Sequence, residues 1–529
     1  MAKTAKKEKE VSLETVLWNC RVALRGIGST EKNRDAVIGL VFLKFAGDKF
    51  EECRARLKEM HPGLPMILEE PSFYNRDNVY YLNETSRWSY IVTHAGANDI
   101  AVIIDRAMAD IEADNSPLRG ALPQNLYASL GASKEKIKAL IDEVNKIDKS
   151  RFHEEDLIGR VYEYFLRAYA AAGTKDDGEF YTPASIVKLI AELIEPFSGT
   201  VYDPCCGSGG MFVQSMKFVD RHQGNRKNIS ILGQESNPDT WRLCKMNLAI
   251  RGIAHNLGDH AASTFTDDLH KDRKVDFVMA NPPFNLKNWR GKDELLNDPR
   301  WAGYAVPPAS NANYAWILHI LSKLDVSHGI AGFLLANGAL NDEDVSSIRQ
   351  QLIDNDKVEA IIILPRDMFY TTDISVTLWI LNMNKKAGFI NGRPVRDRTG
   401  EILFVDLRTW DENIDEILID KGKRKKKVTL TDEQIARIKD LYSSWQSADH
   451  NRYHDIPELC RSVSLEEIRE KNYSLVPSQY ITFIDHDLDI DYEKEMKRIQ
   501  AEMQDILKEE KESQTMLVNA FKGIGYEID

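Results

Sequence analysis

Apolar positions recur every three or four residues through the first part of the chain, which is the spacing of amphipathic helices. The clearest stretch covers residues 13–58, and further helical segments are predicted around 88–113 and 134–145. Little strand signal occurs before residue 195. This part of the chain is therefore predicted to form a separate all-helical domain.

From about residue 178 onward, apolar runs of strand length alternate with helical patterns, such as those over 241–250 and 313–324. Six runs are predicted as strands: 200–203, 229–235, 275–280, 329–336, 358–364 and 376–382. Thr182 followed by Pro183 is a helix-start signal, with the threonine as N-cap and the proline at the first helical position. The alternation predicts a doubly wound α/β sheet with helices on both faces.

Regular alternation fades after about residue 406. The basic run KGKRKKK at 421–427 is predicted to be a solvated linker in preference to a phosphate-binding arm. Residues 431–445 have the pattern of a capped helix. Apolar side chains then recur at alternating steps of three and four near the end of the chain, which suits packing against another helix. They are Met496, Ile499, Met503 and Ile506.

Length and composition are those of an ordinary globular protein of two to four domains. The 529 residues include 69 basic and 82 acidic side chains, and the formal net charge of −13 argues against a general, tight nucleic-acid binder. The six cysteines show neither metal-ligand nor disulfide spacing. Because no signal peptide and no apolar run of about 18 residues occurs, a cytoplasmic protein without a membrane segment is expected.

The strand predicted over 275–280 ends at Asn281, Pro282, Pro283 and Phe284, which are the candidate catalytic residues. Two prolines fix φ and donate no amide hydrogens. The loop therefore offers a side-chain amide and unclaimed carbonyls as acceptors, with an aromatic ring beside them. Such a clamp suits a conjugated amine, because accepting both of its hydrogens frees the delocalised lone pair for attack.

Two further candidate groups follow the ends of predicted strands, where open α/β sheets bind ligands. The turn after the first strand contains Asp203, Gly207, Ser208, Gly209 and Gly210. Its glycines would let a ligand approach the backbone closely. Glu235 ends the next strand, where a carboxylate can bind ribose hydroxyls. A structural turn or a surface carboxylate would explain either feature alone, but their combination with the Asn-Pro-Pro-Phe motif is far more specific.

This set of motifs, in this order, resembles the N6-adenine DNA methyltransferases, and specifically the modification (M) subunit of type I restriction-modification systems. The matching segments are 178–183, 203–210, Glu235, 281–285, 310–319, 369–370 and 472–480. The resemblance covers roughly residues 11–490. It implies a Rossmann-like S-adenosylmethionine-dependent methyltransferase sheet, with an N-terminal all-helical domain and a helical C-terminal extension.

The resemblance also implies roles for individual residues. Those expected to hold S-adenosylmethionine are Glu179, Phe180, Tyr181, Thr182, Pro183, Ala184, Asp203, Gly207, Ser208, Gly209, Gly210 and, at the ribose, Glu235. Where the family often has an acid that contacts the cofactor's adenine, this chain has Ser263, with Asp268 nearby. The target adenine would be flipped into the Asn-Pro-Pro-Phe clamp. Phe284 would stack on it, Phe369 or Tyr370 would close the other side, and no metal is required.

Partners are implied as well: DNA, a specificity (S) subunit that reads its sequence, a restriction (R) subunit, and two M subunits per S subunit. The apolar stripe near the C-terminus is a candidate docking surface for the S subunit. The predicted domains are a disordered basic tail (1–10), a helical domain (11–165), the methyltransferase domain (166–410), a linker and helical region (411–485) and a C-terminal helix (486–529). A methyltransferase of protein glutamine or RNA and a catalytically silent scaffold are the open alternatives.

Overall fold

The computed structural model contains two compact units, Met1–Tyr480 and Ile481–Asp529. It describes residues 13–77, 79–148, 164, 182–369, 373–420, 423–449, 451–484 and 492–523. The larger unit consists of N-terminal helices followed by an α/β sheet, and the smaller unit contains one long helix.

The N-terminal helices follow the three- and four-residue periodicity of the sequence. They are α1 (Leu13–Ala23), α2 (Thr30–Met60), α3 (Pro71–Asn75), α4 (Trp88–Thr93), α5 (Ile100–Asp114), α6 (Leu126–Ser129) and α7 (Lys134–Val144). The buried Asp105 carboxylate accepts hydrogen bonds from the backbone amides of Tyr127 and Ala128, which ties α6 to α5. The apolar faces of these helices share one core, and the predicted helical N-terminal region is confirmed.

The strands of the larger unit include a nine-stranded sheet. In chain order they are β1 (Gly199–Asp203), β2 (Ile229–Gly233), β3 (His255–Asn256), β4 (Phe277–Ala280), β5 (Ile330–Ala336), β6 (Val358–Ile363), β7 (Val376–Asn382), β8 (Gly388–Ile390), β9 (Arg393–Val395), β10 (Glu401–Asp406), β11 (Ile414–Asp420), β12 (Lys423–Val428) and β13 (Cys460–Ser464). The order in the sheet is β13-β10-β6-β7-β5-β4-β1-β2-β3. β1 to β5 run parallel to one another, whereas β7 is antiparallel to both of its neighbours.

Helices cover both faces of the sheet, as the alternation predicts. Those of this region are α8 (Ala184–Ile194), α9 (Gly210–Arg221), α10 (Pro238–Ile250), α11 (Asn313–Lys323), α12 (Ser346–Asp354), α13 (Asp432–Gln446) and α14 (Leu465–Glu470). Leu334 of β5 shares a buried core with α8. The adjacent residue Phe333 stacks on Trp379, which in turn contacts Tyr314 of α11. Neighbouring strand residues point to opposite faces, so α8 and α11 lie on opposite sides.

Two local predictions were wrong. Residues 423–428 of the basic run form β12, which pairs antiparallel with β11 and sets Lys427 opposite Asp415 and Lys426 opposite Glu416. Cross-strand pairs of opposite charge stabilise a strand that looks solvated when its own residues are considered alone. Thr182 is not an N-cap: α8 begins at Ala184 with Pro183 in the cap position. The helix predicted over 431–445 is confirmed, with a capping box on Thr431.

The smaller unit contains α15 (Tyr492–Gly523), a helix of 32 residues. Four of its apolar side chains, in the predicted stripe, are 44–64% exposed. They are Met496, Ile499, Met503 and Ile506. Within the described part of the chain, every helix is too short or too polar to cross a lipid bilayer.

Candidate active site

The carboxyl ends of β1, β2 and β4 lie side by side. β1 pairs in parallel with β2 and with β4, and Asp203 at the end of β1 is opposite Gly233 at the end of β2. The loops that follow these strands therefore leave the sheet at the same edge. This arrangement brings together the glycine turn, Glu235 and the Asn-Pro-Pro-Phe motif, which are far apart in sequence.

The glycine turn is tight on its protein side and open on the other. Gly209 has a φ of +82°, and a Cβ there would lie 2.9 Å from the Sγ of Cys244, so any other residue would be strained at this position. At Gly207 and Gly210, by contrast, a Cβ would meet no atom of the described residues within 4 Å. The turn therefore exposes a bare stretch of backbone at the sheet edge, to which a ligand could lie close.

Asp203, in the same turn, is only 2% exposed, and its Oδ1 accepts a hydrogen bond of 3.0 Å from the backbone N–H of Cys205. Burial raises the pKa of Asp203 to about 7, hydrogen bonds from Cys205 oppose the rise, and the Glu235 charge adds to it. Burial also raises the pKa of the Cys205 thiol well above its ordinary value, while the backbone N–H of Asn281 opposes that rise. Cys205 thus lies between the first strand and the Asn-Pro-Pro-Phe motif.

Glu235 is half-buried and connects the turn with the next helix. Its Oε2 accepts from the backbone N–H of Gly207 at 3.0 Å, and its Oε1 accepts from that of Asn237 at 2.9 Å. Asn237 caps α10 through its own side chain. The carboxylate is consequently held at the sheet edge, beside the open backbone of the turn.

Asn281 follows β4 directly, and the two ends of its side-chain amide have different surroundings. Nδ2 donates a hydrogen bond of 2.9 Å to the Oγ1 of Thr182. Oδ1 is shielded from solvent and has no hydrogen-bond partner among the described residues. A buried acceptor left unpaired costs free energy, so such an atom at a sheet edge points to a missing donor.

The aromatic end of the motif is also held in place. The ring of Phe284 contacts the buried ring of Phe369 edge-on, with centroids 6.0 Å apart at 79°. The following residue, Asn285, exchanges two hydrogen bonds with Asn313 at the start of α11: its N–H donates at 3.0 Å and its Oδ1 accepts at 2.8 Å. One side of the clamp is thus tied to α11.

The two candidate contacts for a cofactor base have different environments. Ser263 lies in a loop whose next residue, Thr264, hydrogen-bonds the carbonyl of Pro204 in the glycine turn. Asp268 instead forms an ion pair of 2.6 Å with the buried Lys323 of α11. The structure therefore brings the segment that contains Ser263 to the glycine turn. The Asp268 carboxylate is instead paired with Lys323.

Sequence reasoning missed Gln234, the buried residue before Glu235. Its Nε2 donates to the carbonyls of Ala262 and Asp267 at 3.1 and 2.7 Å, and its Oε1 accepts from the N–H of Leu269 at 3.1 Å. Gln234 thereby shapes the loop that carries Ser263. The sequence signal that could have identified Gln234 was a single amide residue at the end of an apolar predicted strand.

Glu179, Phe180, Tyr181 and Tyr370 lie outside the described residues. Pro183 and Ala184 form the entry to α8. In the described ranges, no group of three or more His, Cys, Asp and Glu side chains could hold a metal ion.

Two family models match the chain over adjoining segments. The model described as N-6 DNA Methylase matches residues 153–488, which is more than half of the chain. The model described as HsdM N-terminal domain matches residues 13–146. The chain accordingly belongs to the N-6 DNA methylase family.

Comparisons with individual proteins place the chain in a narrower group within this family. The HindI methylase subunit of a type I restriction enzyme from Haemophilus influenzae is 38% identical over 81% of this chain and 93% of its own length. The MjaIX methylase subunit from Methanocaldococcus jannaschii is 31% identical over 97% and 91%. A type I methyltransferase subunit from Streptococcus thermophilus has the same fold, with a TM-score of 0.70 at 23% identity over 90% of this chain and all of its own. This chain belongs to the methylase subunits of type I restriction enzymes, and the alternative functions are not favoured.

Proposed function

We propose that this chain transfers a methyl group from S-adenosylmethionine to the N6 amine of an adenine flipped out of duplex DNA, as the methylase subunit of a type I restriction-modification complex. The observation that carries this proposal is the solvent-shielded Oδ1 of Asn281, which has no hydrogen-bond partner among the described residues. It lies at the sheet edge that also holds the glycine turn and Glu235. An adenine amine would supply the missing donor.

The residues of the turn fit S-adenosylmethionine. Gly207 and Gly210 leave open space above the backbone, which the cofactor could occupy. Glu235 offers carboxylate oxygens for ribose hydroxyls at the end of β2. We assign the neighbouring Pro183 and Ala184, together with Glu179, Phe180 and Tyr181, to the same site by the family resemblance. When bound, S-adenosylmethionine supplies an electrophilic methyl group on a sulfonium.

Asn281 and Pro282 act on the adenine amine. Asn281 Oδ1 accepts one hydrogen of N6 and the Pro282 carbonyl accepts the other, so that the nitrogen lone pair turns away from ring conjugation. Phe284 stacks on the base, and Phe369 supports the Phe284 ring from its edge. The nitrogen would gain the methyl group as the bond from that methyl to the sulfonium sulfur breaks, leaving a neutral thioether, and would lose one proton to solvent. Positioning of the two reacting atoms provides most of the acceleration.

We also propose the partners of a type I complex: DNA, a specificity subunit, a restriction subunit, and two methylase subunits for each specificity subunit. The relatives are themselves subunits of type I restriction enzymes, which supports this assignment. The exposed stripe of Met496, Ile499, Met503 and Ile506 on α15 is our candidate surface for the specificity subunit. Truncation after residue 490 should then abolish co-purification of the specificity subunit, and an undiminished complex would contradict this docking surface.

Mapping of modified bases in genomic DNA tests the reaction. DNA from the source cell should carry N6-methyladenine at one split, two-part sequence, and a strain with Asn281→Ala should lose it. An unchanged DNA methylome would overturn the proposal in favour of a protein or RNA substrate. Restoration of the modification by a plasmid copy of the unchanged gene is the matching control.

A further inference from the structure

Thr182 contacts the catalytic motif, although it belongs to a different sequence segment. Its Oγ1 accepts a hydrogen bond of 2.9 Å from Asn281 Nδ2, between residues 99 positions apart. The hydroxyl makes no capping bond to α8, which begins two residues later. The side chain is therefore committed to Asn281 and not to its own helix.

The support behind Thr182 is rigid. Pro183 has a φ of −55°, and its carbonyl accepts from the backbone amides of Ile186 and Val187 in the first turn of α8. Ile186 and Val187 are themselves buried. Thr182 thus leads into the first turn of a helix that is packed into the core, which limits how far its hydroxyl can move.

An asparagine amide has a donor end and an acceptor end, and only one of them suits an amine. A flipped amide would present Nδ2 hydrogens to the N6 hydrogens of adenine, which is donor against donor. With Nδ2 bound to Thr182, Oδ1 faces away from Thr182 and is the atom that has no described partner. The orientation of the amide is therefore coupled to the Thr182 hydroxyl.

We propose that Thr182 is a positioning residue, whose hydroxyl holds the Asn281 amide with its oxygen toward the target amine. This inference rests on the proposed function. It differs from the cofactor-binding role that the family resemblance implies for Thr182, because the contact is with the group that binds the substrate base. Thr182 acts through Asn281 and touches neither reacting atom.

Thr182→Val, a near-isostere without the hydroxyl, tests the proposal in the reconstituted complex of methylase and specificity subunits. We expect kcat for methyl transfer to DNA to fall about ten-fold, the effect of one lost hydrogen bond at the upper end of its usual range. KM for DNA and Kd for S-adenosylmethionine should change less than two-fold. Thr182→Ser, which keeps the hydroxyl, should restore most of kcat.

A matched control is Thr377→Val in β7. Thr377 is a buried threonine whose hydroxyl, like that of the half-buried Thr182, bonds an asparagine side chain, here donating to Asn337 Oδ1 at 2.6 Å. This substitution removes a comparable hydrogen bond without touching Asn281. We expect it to lower the melting temperature and to leave kcat of the folded complex unchanged, which separates positioning from a general loss of packing.

The combined variant decides whether Thr182 acts through Asn281. Thr182→Val added to Asn281→Ala should cost nothing further in single-turnover methyl transfer, and a further ten-fold loss would overturn the proposal. Weaker S-adenosylmethionine binding at unchanged kcat in Thr182→Val would also overturn it, because Thr182 would then be a cofactor ligand. If Asn281→Ala alone kept full activity, the proposed function itself would be wrong. If Asn281→Ala were inactive and Thr182→Val fully active, only the positioning role would fail.

Discussion

Two buried polar clusters of the sheet differ in how well their atoms are paired. At the end of β4, Asn281 Oδ1 has no partner in the described part of the chain. At the start of β6, Glu359 is fully buried, and its Oε1 accepts from Arg398 Nε at 2.9 Å and from Gln446 Nε2 at 3.3 Å. Its Oε2 accepts from Asn382. The fully hydrogen-bonded cluster around Glu359 is typical of a structural core. The incompletely hydrogen-bonded Asn281 is typical of a binding site whose ligand supplies a donor.

Arg398→Met should have the largest effect on stability, because it leaves the Glu359 carboxylate buried without its cation. Removal of one partner of a buried ion pair costs about 3–5 kcal/mol. Urea unfolding followed by tryptophan fluorescence measures the loss, since the ring of Trp445 lies 5.9 Å from the Arg398 guanidinium. Glu359→Leu combined with Arg398→Met should recover a large part of the lost stability. A double variant that is less stable than either single variant would contradict this explanation.

Asn281→Ala should show the opposite pattern, a loss of activity without a loss of stability. Removal of a group aimed at the reacting atom costs roughly 10²–10³-fold in rate. The substitution also removes a buried acceptor that has no described partner, so the melting temperature should stay the same or rise slightly. Single-turnover methyl transfer and thermal unfolding of the same preparation test both halves. A large drop in melting temperature would mean that Asn281 is structural, like Glu359.

Gly209→Ala and Gly210→Ala separate the two sides of the glycine turn. Alanine at Gly209 meets Cys244 at a φ of +82°, so we expect a stability loss of about 1–2 kcal/mol from strain alone. Alanine at Gly210 meets no atom of the residues that the structure describes and replaces glycine at the first position of α9, so stability should be unchanged or higher. S-adenosylmethionine binding should nevertheless weaken in Gly210→Ala. Equal binding by Gly210→Ala and the unchanged protein would argue against a ligand above this backbone.

The parts of the molecule that could be predicted from sequence are those with a continuous local signal. Buried parallel strands are unbroken apolar runs, and all six predicted strands are present in the sheet. β3 consists only of His255 and Asn256, and the described β12 is mostly cationic, so neither has such a run. Their pairing depends on partner strands that a local pattern does not include.

The same distinction applies to the site. The motif order and the predicted strand ends identified Asp203, Glu235 and Asn281 as candidate site residues. The parallel register of the strands brings their loops to one edge of the sheet. Their functional roles stay predictions. The contact of Thr182 with Asn281 and the loop-shaping bonds of Gln234 are long-range hydrogen bonds of polar residues. Isolated polar side chains follow no periodic pattern from which such a long-range hydrogen-bond partner could be predicted. The partner becomes evident from the folded structure.

Asp203→Asn gives the smallest expected effect and tests whether a buried carboxylate held by neutral hydrogen-bond donors behaves differently from one paired with a cation. Burial raises the pKa of Asp203 in the folded protein to about 7, whereas the ordinary pKa of an aspartate, as in the unfolded chain, is 3.8. The stability that Asp203 contributes is therefore present at low pH and lost as pH rises through 7. Because this loss begins above pH 3.8, Asp203→Asn should melt slightly above the unchanged protein at pH 5 and further above it at pH 8. Asp406, a buried aspartate paired with Arg408 at 2.6 Å, is the matched control. Asp406→Asn should melt lower at both pH values, because it loses its cation partner's attraction. A lower melting temperature for Asp203→Asn at pH 8 would mean that the Asp203 charge is stabilised in the fold by its neighbours, as the Glu359 carboxylate is by Arg398.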